Sequence, residues 1–261
     1  MRRALAVVKM IGVVVAAGVI GVPQIVATAI HKPSSRRIPK LWHKSMLGLV
    51  RMKVIARGTP LSGEPVVFIS NHASYVDVIV LGSIIEGCFV AKSEVAGWPF
   101  FGWLAKVGRT VFVDRERRSN AGKQRDTLVD HLRNGDNVIF FPEGTSNNGQ
   151  HIQRFKSTLL AAAEPPVVGE EPARVQPIVI AYTGVHGLPM GRRALPKFAW
   201  YGDMELMPHL FDLMQVGPCE VQVEFLEPVS ITEFGGSRKA LAAHCEAAIS
   251  ARLGPLLHSK T

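Results

Sequence analysis

Cysteine is scarce in this chain: the 261 residues include three, Cys88, Cys219 and Cys245. An odd, sparse set without short paired spacing excludes a disulfide framework and a cysteine-rich zinc site, so each reads as a small buried apolar residue. The nine histidines contain no His-Glu-x-x-His, and no metal site is expected. Gly-x-Ser-x-Gly is also missing, and no cysteine stands beside His72, so a nucleophilic serine or cysteine is not expected. Acidic residues are outnumbered, 21 Asp and Glu against 30 Lys and Arg, for a formal charge of +9. Such an excess points to an anionic partner: nucleic acid, acidic phospholipid or a phosphorylated ligand. No zinc-finger or RNP motif accompanies it, and the cations gather around the N-terminal apolar run. The expected partner is therefore an anionic membrane surface rather than nucleic acid.

The longest absence is of charge. From Ile11 to Ile30 the chain reads IGVVVAAGVIGVPQIVATAI, twenty residues between Arg2, Arg3 and Lys9 on one side and Lys32, Arg36, Arg37 and Lys40 on the other. That length matches the ~20 residues needed to cross a hydrocarbon core. A secretory signal is the competing reading, because Ala27-Thr28-Ala29 resembles a cleavage site. The run exceeds the ~7–15 residues of a signal core, however, and dense positive charge follows it. A membrane anchor is the expectation. Pro23 and Gln24 interrupt the run, so a kinked or re-entrant helix in one leaflet stays open beside a spanning one. The cations that follow place the catalytic part on the cytoplasmic side of the cell inner membrane. Leu41 to Ile55 mixes Trp42, Met46, Leu47 and Val50 with Lys44, Arg51 and Lys53, which suits an amphipathic surface helix or an ordinary helix over a core.

Beyond it, short apolar runs alternate with helical patterns, as in an α/β domain. The expected fold is a mixed, mostly parallel central sheet flanked by helices, with residues 1–53 as membrane anchor and amphipathic helix and 54–261 as the catalytic domain. Strands are read at Val54–Arg57, Val66–Ser70, Phe89–Ala91, Thr110–Val113, Asn137–Phe141, Gln176–Tyr182 and Val221–Leu226. Helices are read at Tyr75–Ile85, Phe100–Lys106, Arg117–Arg133, Lys156–Ala163 and Ser237–Leu253. The run Leu188–Met214, with Phe198, Trp200, Tyr201 and Phe211 beside Arg192, Arg193 and Lys197, suits a membrane-facing lip or plain packing.

Chemistry starts at Asn71-His72-Ala73-Ser74-Tyr75-Val76-Asp77. The apolar run VVFIS puts His72 at the C-terminal edge of a strand, where Asn71 or Ser74 can cap the next helix. With His72 in the turn and Asp77 on the first helical turns, the carboxylate fixes the imidazole tautomer and leaves the other nitrogen as a general base. Alone, the spacing equally suits a structural histidine.

Three further segments change that balance: FVAKSEVAGWPFFGWLAKVGRTVFVDR over 89–115, FPEGTS over 141–146, and Val175-Gln176-Pro177-Ile178. With NHASYVD they make four blocks in order, and from about Val54 to Val229 the chain resembles the glycerolipid acyltransferase family that includes 1-acylglycerol-3-phosphate acyltransferases. The resemblance implies that His72 deprotonates an acceptor hydroxyl while Asp77 orients it, and that the hydroxyl attacks an acyl thioester directly. It implies that Arg115 faces the acceptor phosphate, that Glu143, Gly144 and Thr145 bind the acceptor, and that Lys92 and Lys156 stand where basic residues are frequent. Asn71 belongs to the same block. In this family an arginine frequently follows the threonine of the third block; here Ser146-Asn147-Asn148-Gly149 follows.

The implied activity is transfer of an acyl chain from acyl-CoA or acyl carrier protein to 1-acyl-sn-glycerol-3-phosphate, giving phosphatidic acid, with no bound cofactor. The missing arginine keeps a second acceptor open, another lysolipid such as lyso-ornithine lipid. A thioester or lipid hydrolase and a non-catalytic lipid-binding module are the readings from other classes. Neither has a motif in its support.

Overall fold

The computed structural model describes residues 2–114, 121–165, 171–191 and 193–258. Among these residues seven α-helices run in chain order: α1 (Arg2–Ala29), α2 (Ile38–Val50), α3 (Val76–Ile84), α4 (Phe101–Val107), α5 (Ala121–Arg133), α6 (Leu206–Gln215) and α7 (Arg238–Leu257). The strands are β1 (Met52–Arg57), β2 (Val66–Ser70), β3 (Cys88–Lys92), β4 (Val111–Val113), β5 (Val138–Phe140), β6 (Arg174–Val185), β7 (Leu188–Pro189) and β8 (Cys219–Phe225). They form one sheet in the order β1-β8-β6-β2-β5-β3-β4, with β7 added to β6. Neighbours are parallel except where β6 meets β7 and β8. This is the mixed, mostly parallel sheet expected.

Strand β2 lies at the centre, and its run Val66-Val67-Phe68-Ile69 is fully buried because helices cover both faces. Alternation sends Val66 and Phe68 into the core beneath α2, α3 and α6, and Val67 and Ile69 into the core beneath α5 and α7. Burial of each such side chain contributes about 1.5–3 kcal/mol. Strands β2, β5 and β3 are all parallel, so their carboxyl ends, Ser70, Phe140 and Lys92, share one edge. That edge carries the site. The three cysteines are buried and free, as expected of small apolar residues.

Helix α1 runs without a break through Pro23. It is inside-out: Ala6, Lys9, Val13, Ala17, Gly21, Gln24 and Ala27 face the protein, while Val8, Ile11, Val15, Val19, Val22 and Val26 are exposed. Lys9 Nζ donates to the Met214 carbonyl at 2.9 Å, and Gln24 Nε2 donates to the carbonyls of Ser35 at 3.0 Å and Val107 at 3.2 Å. Close packing needs small residues here, since a Cβ on Gly21 would lie 3.1 Å from the Trp103 ring. Ala6 and Val13 of α1 and Met46, Leu47 and Val50 of α2 belong to the same core as Phe68. The N-terminal helices are thus built into the body along the length of α1, and α2 is a helix over the core.

Two sequence expectations differ from the structure. The helix read at Lys156–Ala163 is only a short 3-10 turn, Leu159–Ala163. The run Leu188–Met214 conceals α6, whose Pro208 sits in the first turn, where a missing N–H costs no helical bond. It packs against α1, and Leu195, Phe198, Ala199, Leu210 and Leu213 are buried.

Candidate active site

Past Ser70 the chain turns from β2 into α3, and this turn is held from every side. Asn71 Oδ1 accepts from Ile180 N–H at 2.8 Å and its Nδ2 donates to the Ile180 carbonyl at 2.9 Å, which clips the turn to β6. The buried Asn71 is therefore a structural clip, not a helix cap. His72 N–H donates to Glu143 Oε1 at 2.7 Å, and the His72 carbonyl accepts from Asn147 N–H at 3.0 Å. The Ala73 carbonyl accepts from Trp200 N–H at 2.8 Å.

Within this frame His72 Nδ1 lies 2.9 Å from Asp77 Oδ2. The same oxygen accepts from the N–H groups of Ala73 at 2.7 Å and Ser74 at 2.8 Å, so Asp77 itself closes the first turn of α3. Asp77 Oδ1 accepts from Tyr182 Oη at 2.6 Å. Asp77 is fully buried, and four donors compensate its lost hydration. Because the carboxylate offers only acceptors, Nδ1 carries the imidazole proton and Nε2 is left as the basic nitrogen. The ring stacks on Phe141 at 4.0 Å between centroids, which fixes its plane. Tyr182, a residue that sequence reading did not single out, lies 105 positions from Asp77 and showed no signal beyond a strand pattern.

His72 opens on a cavity of about 480 Å³ that runs beneath α1, α2, α4 and α6. Its wall is apolar. Among the described lining residues Lys92 is the one Lys, Arg, Asp or Glu side chain; His43, pushed down to about 4 by burial, is neutral. Gly144, Thr145 and Ser146 line the mouth. Gly144 adopts φ +81°, a backbone that favours glycine, and its N–H closes the turn onto the Phe141 carbonyl at 3.1 Å. Ser146 spends its hydroxyl on the Trp200 carbonyl, so the indole, T-shaped against Tyr75 and Trp98, is tied over the site. The Trp200 Nε1 donor has no hydrogen-bond partner among the described residues.

Other expected site residues fall elsewhere. Glu143 is buried and outside the cavity wall; its Oε2 accepts from Asn147 Nδ2 at 2.5 Å and Gln153 N–H at 2.8 Å. Burial pushes its carboxyl up to about 7 against the pull of these donors and of His72 N–H. With both oxygens engaged inside the protein, it braces the His72 turn instead of facing a substrate. Lys156 lines a separate pocket with Arg154 and Lys239. Arg115 lies outside the described residues, as do Arg117 and Arg118. Cys88, His131 and Asp136 also converge, but Asp136 is already engaged by Arg109 and Arg36, at 2.5 and 2.9 Å. This group ties the segment after α1 to the end of α5 as an ion-pair hub.

A family model described as acyltransferase matches residues 49–181. The lyso-ornithine lipid O-acyltransferase of Brucella abortus (strain 2308) is 40% identical over 220 residues, covering 84% of this chain and 82% of that protein. The protein of the same description from Rhizobium meliloti (strain 1021) is 40% identical over 197 residues, covering 74% and 67%. The crystal structure of the 1-acyl-sn-glycerophosphate (LPA) acyltransferase PlsC from Thermotoga maritima superposes with a TM-score of 0.64 at 19% identity over the whole of both chains, which shows the fold. A histidine and a buried carboxylate at the carboxyl edge of such a sheet, beside an apolar cavity, agree with these likenesses. This chain belongs to the acyltransferase family, as an O-acyltransferase acting on lysolipid acceptors.

Proposed function

We propose that the acceptor is a lyso-ornithine lipid, whose free hydroxyl receives an acyl chain from acyl-CoA or acyl carrier protein. The observation that carries this is the position after Thr145, where an arginine is frequent in the family: here Ser146 stands, its hydroxyl spent on the Trp200 carbonyl, and Lys92 is a cation of the described cavity wall. An ornithine headgroup bears one carboxylate and one ammonium, and one lysine balances the carboxylate. A phosphomonoester carries up to two charges and suits a cation at the Ser146 position, which has none. The relatives at 40% identity carry the same acceptor in their descriptions. Lysophosphatidic acid, the acceptor implied first by the sequence motifs, is the weaker reading on both counts.

In the proposed reaction His72 Nε2 removes the proton from the acceptor hydroxyl as its oxygen attacks the thioester carbonyl. The C–O bond forms, the C–S bond breaks, and the imidazolium returns the proton to the leaving thiolate. Asp77 keeps Nδ1 protonated and stabilises the transient imidazolium. Thr145 and Gly144 shape the mouth. The apolar cavity takes hydrocarbon. Asn71 and Glu143 act as positioning residues through the His72 turn. The donors are co-substrates, and no bound cofactor enters the scheme.

Helix α1 is long and apolar enough to cross a membrane, but its buried stripe is packed on the domain from Ala6 to Ala27. Standing upright, it would drag that packing into the bilayer. We place it in one leaflet with its exposed valines and isoleucines in hydrocarbon and the flanking cations at the anionic surface. On that reading the protein sits on the cytoplasmic face of the inner membrane.

The test is an acceptor panel in liposomes with one thioester. Turnover of lyso-ornithine lipid exceeding that of lysophosphatidic acid is expected, and the reverse order would overturn the acceptor assignment. His72→Ala should lower turnover by roughly 10²–10⁴ with lipid binding retained; near-normal turnover would remove the mechanism.

A further inference from the structure

A second pocket, also of about 480 Å³, opens on the other side of the site wall from the apolar cavity. Its polar lining is Arg154, Lys156, Lys239, Ser157, Thr158 and Glu246. The carboxylate of Glu246 is engaged, accepting from Phe155 N–H at 2.7 Å. Phe155 is buried in the core beneath α7, so the residues on either side of it, Arg154 and Lys156, are turned outward and exposed. Neither these two nor Lys239 makes an ion pair among the described residues, whereas the adjacent Arg238 is paired with Glu164 at 2.9 Å. The two hydroxyls have no hydrogen-bond partner there either.

Lys239 stands in the first turn of α7, which has no acidic residue. A cation is disfavoured at that end of a helix, and an anion is favoured there. Lys239 stands against this preference and meets two further unpaired cations, Arg154 and Lys156, in the pocket, a local conflict of the kind that functional sites carry.

The pocket is joined to the catalytic turn by a short path. His72 N–H binds one oxygen of Glu143, Gln153 N–H binds the other, and Lys156 N–H donates to the Pro142 carbonyl at 2.8 Å. The chain from Gln153 to Lys156 spans at most about 11 Å. The pocket thus lies behind the His72 turn, while α1, with its exposed apolar face, covers the opposite face of the sheet.

We propose that this basic pocket anchors the phosphate of the acyl donor, the phosphopantetheine linkage that acyl-CoA and acyl carrier protein share. Lipid acceptor then enters from the α1 side and donor from the water side, and the thioester arm reaches over the Phe141–Gly144 turn to His72. Lys156 belongs to the donor and not to the acceptor headgroup. The proposal rests on the acyltransferase reading of the His72 site.

Full-length wild type and the double variant Lys156→Gln/Lys239→Gln are assayed in liposomes with lyso-ornithine lipid. The donors are palmitoyl-CoA, palmitoyl-acyl carrier protein and the phosphate-free palmitoyl-pantetheine. The variant should raise the KM for a phosphorylated donor about tenfold or more. The acceptor KM and the turnover of palmitoyl-pantetheine should stay at wild-type values. A rise with both phosphorylated donors supports the shared phosphate; a rise with palmitoyl-CoA alone, or with the carrier protein alone, overturns it in favour of the nucleotide phosphates or of that protein's own surface. An unchanged KM for both phosphorylated donors, or a rise in acceptor KM instead, overturns the proposal. Arg154→Glu, an exposed charge reversal that asks nothing of the core, should give the same pattern more strongly. Failure of the underlying reading looks different: wild type would transfer no acyl group from any donor.

Discussion

Tyr182→Phe removes one hydroxyl from beneath the site. In the native protein that hydroxyl donates to Asp77 Oδ1 at 2.6 Å, and the ring is buried against Phe198 at 5.7 Å between centroids. A hydrogen bond to a charged group contributes about 1.5–3 kcal/mol, and here the deletion leaves a buried carboxylate oxygen without its donor. We therefore expect a loss of about 2–3 kcal/mol. For a chain of this size each kcal/mol lowers Tm by roughly 2–4 °C, so thermal unfolding should shift down by roughly 4–12 °C. The effect on catalysis should be smaller. Asp77 Oδ2 keeps its three partners, His72, Ala73 N–H and Ser74 N–H, so the imidazole keeps its tautomer while its carboxylate is less firmly held. A fall in kcat of about tenfold, about 1.4 kcal/mol, is expected. Tyr182 is not part of the cavity wall, so the acceptor KM should not move. Steady-state kinetics and thermal unfolding on the same preparation decide the matter. Wild-type Tm, or a raised KM at unchanged kcat, would refute the assignment of Tyr182 as the support of Asp77.

Glu143 predicts a pH dependence of stability. Its carboxyl is raised from 4.5 to about 7, so the folded protein holds a proton that the unfolded chain releases above 4.5. Stability from this group is intact below about 4.5 and is lost as pH rises toward 7, by up to about 3 kcal/mol. Denaturant midpoints between pH 4.5 and 8 should fall more for wild type than for Glu143→Gln; parallel curves would contradict it. Ser146→Ala frees the Trp200 carbonyl, should loosen the indole, and should raise the acceptor KM about tenfold, while Ser146→Thr, which keeps a hydroxyl, should restore much of the loss. A wild-type KM in Ser146→Ala would show that the tether is idle.

The parts of the site legible in the sequence are those that local geometry controls. VVFIS reads as a strand buried on both faces, and His72 and Asp77 meet because one turn of chain separates them, which no distant residue needs to arrange. Gly144, named from the resemblance as an acceptor contact, proves to hold a positive φ in its turn. Glu143 itself misleads: a carboxylate in a substrate motif suggests a ligand contact, but its direction depends on Gln153 and Asn147 folding back to meet it. Helix α6 was hidden because its aromatic and methionine residues suit a membrane lip as well as a packed stripe.

The sequence by itself determined that the chain is an α/β domain with an apolar N-terminal segment and a strand-to-helix turn carrying His72 and Asp77, because strand period, turn chemistry and a charge-free run of twenty residues are properties of neighbouring residues; the acyltransferase reading came from the resemblance of its four blocks to that family. Tertiary structure alone decided what surrounds that histidine. The register of β6 against β2, with Ile178 opposite Ser70, places Ile180 where Asn71 clips it and turns Tyr182 toward Asp77; a slip of one residue would send that hydroxyl to the other face of the sheet. The same sheet puts Lys92 in the apolar cavity and Lys156 behind it. Helix α1 is equally ambiguous until its stripe of alanine, glycine, Lys9 and Gln24 is seen packed on the domain. Which side of a helix or strand is covered is settled by what folds against it.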